Sequence, residues 1–80
     1  MKIPVIKQLV ETFSLEQLEM AEEAILSEQE PGIAIDGKDE GEKLTHVMAA
    51  AEILREVKGK GIAVNVALRN YTQRVRKSIS

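Results

Sequence analysis

The stretch Asp39–Lys58 limits the fold more than any other part of the chain. Both ends of a helix are marked in it, and its apolar surface is wider than one neighbour needs. Asp39 and Glu42 have capping-box spacing, so one carboxylate caps a backbone N–H and the other reaches back. Asp39, Glu40 and Glu42 also complement the positive end of the helix dipole. At the far end Lys58 falls in the last turn, and Gly59 is the expected left-handed cap. Leu44, Val47, Met48, Ala51 and Leu54 form one stripe, with His46, Ala50, Ile53 and Val57 beside it. A helix this broadly apolar sits at the centre of its fold or presents its second flank to another subunit.

The rest of the chain reads as helices around this one. Pro4 suits a first helical turn, and Ile6, Leu9, Val10 and Phe13 follow at helical spacing to about Thr12. Lys2-Ile3, just before it, is expected to be extended. Ser14 and Gln17 make a second capping box, with Phe13 and Leu18 as its hydrophobic staple. That helix carries Leu15, Leu18, Ala21 and Ile25 inward, with Leu26 as a further candidate for the line, and a row of glutamates outward, and Pro31-Gly32 is expected to stop it. The last helix is expected from near Asn65, with Val64, Ala67, Leu68, Tyr71, Val75 and Ile79 on its stripe. The fold class is all-α: one domain over residues 1–80, a small bundle of three to four helices. An irregular or short extended segment is expected near 32–36, where Ile33 and Ile35 plug the core. The alternative is that this segment pairs as a strand with the N-terminus or with a second copy.

Composition narrows the function classes. The chain has no cysteine, which removes disulfides, thiolate ligands and thiol nucleophiles together. No run of residues is apolar enough to span a membrane, and the N-terminus does not read as a signal peptide, so the expected setting is cytoplasmic. The net charge of −2 conceals an asymmetry: residues 11–42 hold eleven acids and one base, residues 55–80 seven bases and one acid. The acidic second helix is therefore expected to face the basic last one, within or between subunits.

Three stretches, Met1–Lys7, Gly37–His46 and Tyr71–Ile79, resemble a family of short, uncharacterised bacterial helical proteins, a domain of unknown function. The resemblance spans nearly the whole chain. It implies a stand-alone bacterial cytoplasmic protein and carries no activity, cofactor or catalytic residue with it.

Chemistry is sparse. Against a calcium-binding loop, Asp36–Val47 puts Lys38 where a ligand oxygen is needed and Val47 where the bidentate glutamate belongs. Glu42 and His46 share a helix face, but one histidine without cysteine does not complete a zinc site. The serines stand in no nucleophile motif, and neither glycine cluster has phosphate-loop spacing. The expectation is a non-enzymatic protein with no metal and no cofactor, in which His46 is structural or lies at an interface.

Two function classes remain. The first is a protein–protein interaction or assembly module of unknown pathway, self-associating as a homodimer, with a further protein partner left open. Four short helices have little capacity to bury Ile33 and Ile35 as well as both flanks of the central helix. The expected interface is therefore Ile33, Ile35, His46, Ile53 and Val57. The alternative is a nucleic-acid-binding regulator that uses Arg69, Arg74, Arg76 and Lys77 of the last helix. The acidic sequence pI near 5.4 and the scarcity of stacking aromatics count against it.

Overall fold

The computed structural model describes residues 2–79, with side chains through residue 77. It contains four helices: α1 (Ile3–Thr12), α2 (Leu15–Leu26), α3 (Glu40–Lys60) and α4 (Val64–Ile79). There is no strand among the described residues. None of the described helices is long and apolar enough to cross a membrane. The fold class is all-α, as the helical spacing implies.

α3 is the hub. It packs against α1, α2 and α4, and α1 also touches α4. The consecutive alanines Ala49, Ala50 and Ala51 are all buried. At about 100° per residue they face three directions, so small side chains let neighbours close on α3 from several sides. Val5, Ile6, Leu9 and Val10 from α1 and Leu18, Ala21 and Ile25 from α2 complete the core around Val47 and Ile53. Met48 leaves the expected stripe and is 49% exposed.

The local capping chemistry at the start of α2 is complete. The Gln17 N–H donates to Ser14 Oγ at 3.2 Å, and the Ser14 N–H donates to Gln17 Oε1 at 2.9 Å. α3 starts on Asp39, whose Oδ1 accepts from the Glu42 N–H at 2.8 Å. The Glu42 carboxylate reaches back one residue further than expected and accepts from the Lys38 N–H at 3.3 Å.

α1 begins at Ile3, one residue before Pro4, so of the expected extended pair only Lys2 is extended. Three further boundaries differ from the expected ones. α3 runs through Gly59 to Lys60, and Gly61 takes the left-handed cap at φ 64°, its N–H donating to the Val57 carbonyl at 2.9 Å. Continuing the helix lets Lys60 pair with Glu56 at 3.2 Å. α4 begins at Val64, so Asn65 lies in its first turn, and the Ala63 carbonyl accepts from the Ala67 N–H. The side chain of Ile79, the last residue of the expected α4 stripe, lies outside the described ones.

The third difference is the end of α2, which stops at Leu26, before Pro31-Gly32. Residues 27–30 are Ser-Glu-Gln-Glu and have nothing to bury, so continuing the helix gains no packing. The chain reverses through a Schellman motif: the Gln29 N–H donates to the Ala24 carbonyl at 2.7 Å and the Glu28 N–H to the Ile25 carbonyl at 3.0 Å. Glu28 occupies the left-handed position, at φ 60°. A residue with a Cβ is strained there. Glu28→Gly is therefore expected to stabilise the protein by about 1 kcal/mol, read as a higher urea midpoint at unchanged slope.

The reversal returns the chain to the core. Ile35 is buried and Ile33 half-buried, so the isoleucines plug the core from an irregular segment. Gly37 passes close to α3: a Cβ there would lie 2.8 Å from Lys43 Cγ and 3.0 Å from the Lys43 backbone nitrogen.

Candidate functional site

His46 is fully buried, nearly two turns into α3. Its Nε2 accepts from the Lys2 N–H at 3.0 Å, and its Nδ1 lies 2.9 Å from the Asp36 carbonyl. A carbonyl only accepts, so the proton sits on Nδ1 and both ring nitrogens are engaged by main chain. The two segments that read as extended in the sequence are thus joined through an imidazole. Neither ring nitrogen is left for a metal or a substrate proton. Among the described residues no three of His, Asp and Glu gather as a ligand set.

The other residues expected at an interface are absorbed by the chain's own core. Ile53 is 0% exposed and Ile35 8%, while Ile33 and Val57 are partly buried against the same cluster. The reason is the alanine run, which gives α3 more than one buried side within a single chain. No surface on Ile53 or His46 remains for a partner.

The charged faces meet by relay. Glu19 of α2 pairs with Arg55 of α3 at 3.2 Å. Arg74 of α4 pairs with Glu52 at 3.5 Å and Glu56 at 3.1 Å, both on α3. Within one chain acidic α2 does not face basic α4: α3 lies between them with charges for each. Arg74 also lies over the Tyr71 ring, 5.7 Å from its centroid. Burial raises the Tyr71 phenol above its ordinary pKa, Glu52 adds to the rise, and Arg74 acts against it.

The four cations named for nucleic acid do not share one face. Arg74 is drawn onto α3, Arg69 and Arg76 align on the outer side, and Lys77 is turned roughly 100° from Arg76. Lys77 lies with Lys60, Asn70 and Gln73 along a groove where α4 meets α3.

Besides the exposed Met20, Leu26 and Met48, a partly covered apolar surface lies along α4. α4 is strongly amphipathic, yet of its apolar residues with described side chains only Ala67 is fully buried. Val64 and Leu68 are half-buried beside Val10 of α1, and with Lys7, Glu11 and Asn65 they line an open groove of about 540 Å³. Sequence reasoning missed Lys7 and Glu11. The available signal was an i, i+4 pair of opposite charge beside an apolar residue.

Residues 1–80 match the family of unknown function DUF6952. The chain belongs to this family. No curated protein and no solved structure matches the chain.

Proposed function

We propose that this member of the family is a non-enzymatic protein–protein interaction module that self-associates through the α1/α4 groove. The observation that carries the reading is the half-covered apolar line Val64–Leu68 next to Val10. An amphipathic helix gains little from apolar residues left half in water, and a second copy is the commonest cover for such a face on a small chain. The non-enzymatic part is supported by His46, whose two nitrogens serve the main chain. The same reading takes the chain to be bacterial and cytoplasmic, a reducing setting that suits a chain without cysteine.

Nucleic-acid binding through α4 is the weaker alternative. Arg74 is engaged by two glutamates, which leaves Arg69 and Arg76 aligned on the outer side and Lys77 about 100° away from Arg76. Two aligned arginines make a small footprint on a phosphate backbone, whose binding grows with the number of phosphates neutralised.

Light scattering at micromolar concentration tests the proposal. The wild type is expected at twice the chain mass of 8.9 kDa. Leu68→Glu is expected at the monomer mass; because Leu68 also packs against the core, retained helical circular dichroism is the control that the loss lies at the contact and not in the fold. A wild type that scatters as a monomer across that range overturns the reading.

A further inference from the structure

We infer that the second copy docks about a two-fold axis that sets Lys7 of each copy opposite Glu11 of the other. This rests on the self-association reading above and names the geometry and the specificity residues of that contact.

The argument is one of sign. A two-fold axis brings like surface to like surface. The outer face of α2 exposes Glu16, Glu19 and Glu23 around Met20, and the outer face of α4 exposes Arg69 and Arg76. Either face would meet its own charge in a symmetric dimer and be repelled. The α1/α4 groove is different: around Val10, Val64 and Leu68 it carries one cation, Lys7, and one anion, Glu11. Both are exposed and stand four residues apart on α1. An axis passing between them runs the two α1 helices antiparallel. It then sets two cross-copy ion pairs beside the half-buried Val64 and Leu68. Rim charges of this kind contribute little affinity, and their effect is to fix register and reject mismatched partners. A head-to-tail contact of acidic α2 on basic α4 is the rival geometry, and it would build open chains instead of closed dimers.

Charge reversal distinguishes the two. Lys7→Glu alone places two glutamates opposite each other at both ends of the contact, and Glu11→Lys alone does the same with lysines. Each is expected to weaken dimerisation about tenfold. The double variant Lys7→Glu/Glu11→Lys regains the opposite-sign pairs and is expected to dimerise like the wild type. It also keeps an opposite-charge pair within α1, so the helix itself is not weakened. The sharper readout is mixing. When wild type and double variant carry tags of different mass, native mass spectrometry is expected to find the two homodimers and few hybrids, well below the binomial share. Single variants that dimerise undiminished, together with random mixing, overturn the two-fold placement while self-association stands. A wild type that is monomeric in the same spectra overturns self-association itself, and this geometry with it.

Discussion

Ile53→Glu is expected to unfold the protein. Ile53 has no exposed surface and lies in the cluster formed by α1, α2 and α3. Losing a buried isoleucine costs about 2–3 kcal/mol in transfer alone. An unpaired carboxylate in the same place costs several kcal/mol more, or must take up a proton to avoid it. A domain of this size has about 4–12 kcal/mol in total. Circular dichroism should therefore show a largely unfolded chain, or one whose urea midpoint has fallen to near zero denaturant. A variant that kept wild-type helicity and midpoint would place Ile53 at a surface. The outcome separates a core residue from an interface one, since an interface residue would leave a folded monomer.

The second large effect belongs to His46→Ala. The ring is fully buried, so its loss leaves a cavity, and it takes with it the partners of the Lys2 N–H and the Asp36 carbonyl. Cavity and orphaned groups together are worth about 3–5 kcal/mol. Hydrogen exchange should localise the damage: the Lys2 amide and the segment from Ile33 to Lys38 are expected to lose protection beyond the global change. Uniform loss across all four helices would mean that the ring acts by filling space and that its hydrogen bonds matter little.

What was legible in the sequence was local. Ser14 with Gln17, and Asp39 with Glu42, announce helix starts because each cap is closed within four residues by side chains of the right type. The end of α2 was not legible. A left-handed Glu28 carries no residue-type signal, and a Pro-Gly pair shortly afterwards offered a stronger but later stop. Ile53 and His46 were read as surface residues, though both are fully buried, for a different reason. Counting Ile53 and Val57 as surplus assumes that a helix buries one face, and Ala49, Ala50 and Ala51 relax that assumption by letting three helices approach. Lys7 and Glu11 carry only the signal of an opposite-charge pair four residues apart, and which such pair lies beside a groove is decided by how α1 and α4 pack.

The His46 bridge constrains the chain unevenly. Both groups that it engages, an N–H at position 2 and a carbonyl at position 36, belong to the main chain. Almost any side chain can therefore stand at those two positions without disturbing the link. Lys2 and Asp36 can drift independently of each other and of His46, and no matched pair of substitutions would record that the three positions touch. Position 46 has no such latitude, since the link needs one ring nitrogen that donates and another that accepts. The only replacement at position 2 that cuts the link by its own chemistry is proline, which has no N–H to give.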